Sequence, residues 1–192
     1  MLFMEKNTKK MVIAALMTAF TCIATMIIKI PTPTFGYIHL GDGLVLLCGI
    51  ILGPLSGALA AGIGSAFADI FSGYLSWAPA TCIIKALTAG IAGLLFKKTT
   101  HPMDSAKTRN IRLIFGSSIG ELIMVTGYFL YETGLAAFAS GGFTTAALAA
   151  GAASCASGIP FNIAQGVVGI IICLVLLPVL LKIEDIRNMI TN

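Results

Sequence analysis

In a chain of 192 residues, 57% hydrophobic and only 10% charged, with a mean hydropathy of +0.97, too little polar surface exists to cover a water-soluble globule, which carries about 25% charged residues. The same figures exclude intrinsic disorder, whose mark is low hydrophobicity with high charge. The net charge of +4 is not gathered on one face and gives no sign of nucleic-acid binding, and at about 20 residues per spanning helix the length holds five to seven transmembrane segments in a single membrane domain, 1–192.

The basic amino terminus leads into a first apolar helix over 11–30, interrupted only by Lys29 at its far end. It is too long for the core of a signal peptide and lacks a small-residue cleavage site, so the sequence predicts a retained helix. Pro31 and Pro33 then break the helix and open a loop. The next apolar run divides at Gly53-Pro54 into helices over 40–53 and 54–71, with Pro54 suited to the first helical position. The first of these reaches only about 21 Å, against a hydrocarbon core of about 30 Å. It is expected to sit below one face, with the loop from Pro31 to Tyr37 lying over its open end. Further helices are expected over 79–96, 111–131 and 158–181, with an outer loop over 132–157 whose Ala/Gly/Ser-rich part could hold a short helix.

The basic residues decide the number of crossings. Lys6, Lys9 and Lys10 precede the first helix, Lys97, Lys98, Lys107, Arg109 and Arg112 lie around the fourth and fifth, and Lys182 and Arg187 follow the last. An all-α bundle of six transmembrane helices with both termini cytoplasmic puts all of these on one side. A seventh span would export the last two.

Ionisable groups inside a membrane are costly and by default mark a site or pathway. Trp77, Thr81 and Lys85 are four apart and share a helix face, as do Glu121, Tyr128 and Glu132 on the next helix, while Asn162 and Gln165 occupy the first turns of the last. With His39, Asp42 and Asp69 these groups converge on the outer half of the bundle, and the inner half is nearly free of them. The pattern describes a cup open outward rather than a conduction path. A cup with one Trp, tyrosines, amides and a few charges suits a small polar aromatic ligand. Each residue has a plainer reading. Asp42 could cap a helix, Asp69 could reach water, Lys29 could snorkel to the headgroups, Trp77 could belong to an interfacial belt, and Glu121 could pair with Lys85. The substrate-binding candidates are His39, Trp77, Thr81, Lys85, Glu121, Tyr128, Glu132, Asn162 and Gln165.

Small residues recur every fourth position at Gly53, Gly57, Ala61 and Ser65, ending at Asp69, and again at Ala15 and Ala19. Such spacing lets helices approach closely in lipid. The first stripe is expected to face a neighbour in the bundle, and the pair on helix 1 could equally meet a separate membrane partner. The five cysteines stand singly in apolar stretches, with no metal-ligand spacing. No phosphate-loop, HExxH or GxSxG motif occurs. Neither a catalytic residue, a metal nor a bound cofactor is therefore expected, although a stand-alone permease and an intramembrane enzyme remain as alternatives.

Several motifs, in order, carry a resemblance: His39-Leu-Gly-Asp42, Leu52-Gly-Pro54-Leu-Ser-Gly57, Gly62-Ile-Gly-Ser65 with Asp69, Ser76-Trp-Ala-Pro79-Ala-Thr81, Lys85, Gly127-Tyr-Phe-Leu-Tyr-Glu132 and Ile159-Pro-Phe-Asn162-Ile-Ala-Gln165-Gly. Across nearly the whole chain they look like the substrate-binding S components of energy-coupling factor (ECF) vitamin transporters, which sit in the cell membrane of prokaryotes. The resemblance implies a six-helix bundle that binds a vitamin or precursor and works with a transmembrane coupling protein and two cytoplasmic ATPases, the partners that use ATP. It implies that Ala15 and Ala19 match the family's helix-1 contact with the coupling protein, that the loop after helix 1 covers the ligand, and that the bundle topples to deliver it. Within the riboflavin-like S components the chain looks most like the hydroxymethylpyrimidine and pyridoxine branch, with riboflavin or pantothenate as alternatives.

Overall fold

The computed structural model describes residues 2–32, 37–99 and 105–191. Its elements in chain order are α1 (Leu2–Ile27), β1 (Lys29–Pro31), β2 (Tyr37–His39), α2 (Asp42–Leu52), α3 (Pro54–Phe71), α4 (Ala78–Thr99), α5 (Ala106–Ala139), α6 (Thr145–Cys155), a 3-10 turn over Ala156–Gly158, α7 (Ile159–Leu180) and α8 (Glu184–Thr191). Five helical segments are long and apolar enough to cross a membrane, and α2 is apolar but shorter. Apart from the short β1–β2 hairpin the chain is an all-α membrane bundle, and many of its large apolar side chains, among them Leu55, Leu122, Leu130 and Val175, face outward.

α2 is the axis of the bundle. A helix hydrophobic all round can only be stable inside, and every residue of α2 except Leu44 is buried. Its eleven residues reach about 16 Å. Close packing on α4 depends on Gly49 and Gly93: a Cβ at Gly49 would stand 2.0 Å from the Ala89 carbonyl oxygen, and one at Gly93 would stand 2.3 Å from that of Gly49. α2 ends at Gly53, whose φ of 81° only glycine adopts cheaply, and Pro54 opens α3 in the next position. The α3 stripe Gly57, Ala61, Ser65 and Asp69 is buried, facing neighbours within the bundle.

α1 stops at Ile27, short of the expected 30. Pro31 holds Ile30 extended, and the β-branched residues around it favour a strand. The chain accordingly leaves as β1 and returns antiparallel as β2, pairing Lys29 with His39 and Pro31 with Tyr37. α5 begins before 111, where the Ser105 hydroxyl caps it by accepting from the Thr108 amide at 3.2 Å, and runs beyond 131 to Ala139. The expected outer loop over 132–157 is therefore mostly helix, being the end of α5, a turn at Gly141 and Gly142, and α6, capped by Thr144. Alanine makes a poor membrane anchor but is the best helix former, which is what the composition alone obscured. α8 was not expected: its Ile186 is buried in the main core, and Lys9 reaches Asp185 at 3.3 Å.

The core contains Val45, Leu46, Leu47, Ile51, Leu113, Cys173 and Leu177. Two of the deepest hydroxyls satisfy themselves locally, Thr21 donating to the Met17 carbonyl and Thr88 to that of Ile84, whereas those of Thr25 and Ser65 are buried without a hydrogen-bond partner among the described residues. All five cysteines are free, and no group of side chains able to hold a metal occurs among the described residues.

Candidate functional site

A cavity with mixed polar and aromatic walls lies where the hairpin meets the ends of four helices. The hairpin segment contributes Thr32, Tyr37 and His39, α3 contributes Asp69, Trp77 and Thr81 come from the start of α4, Tyr128 and Glu132 from α5, and Asn162 and Gln165 from α7. Seven of the nine candidates read from the sequence thus surround one space: His39, Trp77, Thr81, Tyr128, Glu132, Asn162 and Gln165. Its volume is about 30 Å³, enough for a water molecule or two. Two roomier grooves along α5, about 280 and 360 Å³, are walled by residues such as Leu122, Leu130 and Phe138 and face outward with almost no polar atoms.

Aromatic rings set the shape. Trp77 packs against Tyr128 with centroids 6.2 Å apart and edge-on to Tyr131 at 5.5 Å, and the Tyr131 hydroxyl donates to the Ser76 carbonyl. Tyr128 donates to the Thr81 hydroxyl at 3.2 Å. Trp77 thus belongs to the cavity wall, and Tyr74 leans, tilted, against Tyr37 with ring centroids 4.8 Å apart. The Tyr37 hydroxyl donates to Asp69 Oδ1 at 2.7 Å, while Asp69 Oδ2 is buried without a hydrogen-bond partner among the described residues. Burial, then the adjacent carboxylate, raises the Tyr37 pKa, so the phenol stays protonated as a donor.

His39 is buried, and burial chiefly, with Lys85 next, lowers its pKa to about 3. Its Nδ1 accepts the Gly41 amide at 3.0 Å. A neutral ring accepting at Nδ1 carries its proton on Nε2. His39 can thus donate one hydrogen bond without bringing charge.

Two candidates lie elsewhere. Lys85 is one turn deeper than Thr81, fully buried, and ion-paired with Asp42. It stands 5.2 Å above the Tyr128 ring centroid, so it touches the site only from beneath an aromatic wall. Asp42 is not a cap, because α2 starts with no side-chain capping bond and both carboxylate oxygens point to Lys85 and Gln165. Glu121 does not pair with Lys85. It is 5% exposed, packed against Gly166 of α7, with neither oxygen in hydrogen-bonding geometry. Nor does Lys29 snorkel: its ammonium donates to Ser72 and lies 5.3 Å from the Tyr37 ring centroid.

The cavity wall consequently holds two carboxylates, Asp69 and Glu132, two amides and four aromatic or imidazole rings and, among the described residues, no lysine or arginine. Thr32, Tyr37 and Asp69 are the wall residues missing from the candidate set. Asp69 ends the four-residue stripe on α3, and that stripe faces inward, so its polar terminus had to meet the interior.

A family model described as "ECF-type riboflavin transporter, S component" matches residues 5–182. The fold is similar to a solved structure described as the S component of a bacterial ECF transporter, with a TM-score of 0.60 and 21% identity over 92% of this chain and 97% of that one. A protein of Pyrococcus woesei described as "Uncharacterized protein in gap 3'region" is 38% identical over 107 residues, 55% of this chain and 66% of that protein. The chain spans just under two thirds of that relative's length.

Proposed function

The chain belongs to the family of ECF-type riboflavin transporter S components, and on that premise we propose that it is a vitamin-binding S component whose ligand is a small heteroaromatic ring rich in hydrogen-bond donors, hydroxymethylpyrimidine or pyridoxine. The family is one of multi-pass cell-membrane transporter components rather than enzymes. The observation that supports the ligand class is the cation-free, acidic and aromatic wall of the cavity. Asp69 and Glu132 accept from amino or hydroxyl groups, Trp77, Tyr37 and Tyr128 pack against the ring, and His39 Nε2 donates to a ring nitrogen or carbonyl. Lys85 is committed to Asp42, so a phenolate oxygen finds no ammonium, which favours the aminopyrimidine over pyridoxine. Pantothenate and phosphate esters bring negative charge to two carboxylates and are disfavoured.

Riboflavin is the second reading, favoured by the description of the family. A ring system of that size needs the hairpin carrying Tyr37 and His39 to move further from α3 and α7 than a single ring does.

The reading includes a partner. The sequence has no phosphate loop, so the energy comes from ATP used by two cytoplasmic ATPases joined through a transmembrane coupling protein. Ala15 and Ala19 lie on the exposed face of α1, where small side chains admit a partner helix. The distribution of the basic residues supports an orientation with both termini in the cytoplasm and the cavity outward.

Trp77, the only tryptophan, lies in the cavity wall and reports occupancy by its fluorescence. Titration of the purified protein is expected to change that signal with hydroxymethylpyrimidine or pyridoxine, and not with pantothenate. Uptake into vesicles by the chain without ATPases would instead indicate a permease, and turnover of a bound compound an enzyme.

A further inference from the structure

Gln165 stands in the cavity wall, but the direction of its amide is set from below. Nε2 donates to Asp42 Oδ2 at 2.7 Å, and Oε1 accepts the backbone N–H of His39 at 2.8 Å. Asp42 gives its other oxygen to Lys85. The three side chains come from α2, α4 and α7, and their exposures are 0% for Asp42, 0% for Lys85 and 4% for Gln165. Water cannot substitute for a lost partner at that depth without a cost.

A glutamine amide can be turned over with almost no change of shape, exchanging oxygen for NH₂. What forbids this here is the order of donors and acceptors. An ammonium only donates, so Asp42 must accept from Lys85. A carboxylate only accepts, so Gln165 must direct its NH₂ at Asp42. Its oxygen is thereby forced toward β2, where the His39 amide needs an acceptor. We propose that the buried Lys85–Asp42 pair is a positioning device for the binding site: it fixes the sense of the Gln165 amide and through it holds β2, with His39 and Tyr37, at the cavity rim. Lys85 and Asp42 are positioning residues that touch no ligand. This deepens the reading of the cavity as a vitamin site and rests on it.

The chain of bonds predicts a rescue that mere bulk or charge would not. In Asp42→Asn the Lys85 ammonium captures the new amide oxygen, leaving the Asn nitrogen facing the Gln165 nitrogen. Two donors then confront each other. Turning Gln165 over only moves the conflict to the His39 amide. Adding Gln165→Glu restores the order, because the Asn nitrogen donates to one Glu oxygen and the His39 amide to the other, and the total charge of the cluster is unchanged.

The test compares the wild type, Asp42→Asn, Gln165→Glu and the double variant by hydrogen–deuterium exchange of the peptide carrying β2, and by Trp77 fluorescence titration with hydroxymethylpyrimidine and pyridoxine as probes. Asp42→Asn is expected to speed exchange at β2 and weaken probe binding by about tenfold each, the scale of one buried donor left unpaired. Gln165→Glu alone, which sets two carboxylates face to face, is expected to do the same or worse. The double variant is expected to return both readouts to within about threefold of the wild type. Wild-type exchange in Asp42→Asn overturns the proposal, as does a double variant no better than its parents. If a single variant fails to fold, recovery of a folded protein on adding the second change supports the proposal and continued failure overturns it. Should the wild type bind neither probe, the hydroxymethylpyrimidine or pyridoxine reading fails, while the exchange pattern still decides the positioning claim.

Discussion

Lys85→Met isolates the energetic role of the deepest charge in the bundle. The substitution keeps most of the side-chain volume and removes the ammonium, leaving the Asp42 carboxylate, itself fully buried, without its counter-charge and with the Gln165 amide donating to one oxygen. Removing one member of a buried ion pair costs about 3–5 kcal/mol, whereas replacing both members by neutral groups is often close to neutral. For a chain of 192 residues this corresponds to a fall in the thermal midpoint on the order of 10 °C. In Lys85→Met with Asp42→Asn no ammonium dictates the direction of the Asn amide, so its oxygen is free to turn toward Gln165 Nε2. That variant is expected to recover most of the loss and to keep ligand binding near wild type. The assay is thermal unfolding in a mild detergent, followed by circular dichroism. A single variant melting within about 2 °C of the wild type, or a double variant as unstable as the single, refutes the assignment of Lys85 to Asp42, since neither result is compatible with an uncompensated buried carboxylate.

Other consequences are independent of that pair. Asp69→Asn removes a carboxylate that faces the cavity and accepts from Tyr37, and should weaken binding of a donor-bearing ring about tenfold in the fluorescence titration; an unchanged affinity would place the ligand's donors elsewhere. Replacing Ala15 and Ala19 by Trp should abolish co-purification with the coupling protein while leaving the titration intact, and loss of both or of neither would count against the exposed α1 face as the interface. The His39 imidazole, with its pKa lowered to about 3 from an ordinary 6.5, stays neutral in the folded protein where the unfolded chain takes up a proton. Its contribution is therefore fully present above about pH 6.5 and is lost progressively as the pH falls toward 3. His39→Asn should flatten that part of the profile of thermal midpoint against pH between 7.5 and 5, and an unaltered slope would mean that the imidazole is not held neutral.

The sequence revealed which helix faces are polar much better than how deep each polar group lies. Trp77 with Thr81, Tyr128 with Glu132, and Asn162 with Gln165 could be placed together because four- and three-residue spacing fixes a helix face. The same spacing put Lys85 and Glu121 on those faces but could not show that they sit below the cavity, because depth depends on the vertical register of neighbouring helices. The partner of Lys85 was illegible for the same reason: Asp42, 43 positions away, meets it only because Gly49 and Gly93 let α2 and α4 touch. Asp69 stood among the outer polar groups but not among the binding candidates, because a carboxylate one turn from a helix end could equally reach water. Thr32 and Tyr37 belong to a hairpin segment that no helical periodicity describes, and the short helix that the sequence allowed in the outer segment is α6, although the extension of α5 to Ala139 was not read.

The most direct measurement is mass spectrometry of the small molecule retained by the protein when purified from vitamin-supplied cells, with its stoichiometry taken from the same sample. The account predicts one molecule per chain of a neutral or cationic ring bearing amino or hydroxyl donors, released by the Asp69→Asn substitution. A retained phosphate ester or carboxylate, or no retained vitamin at all, would contradict it.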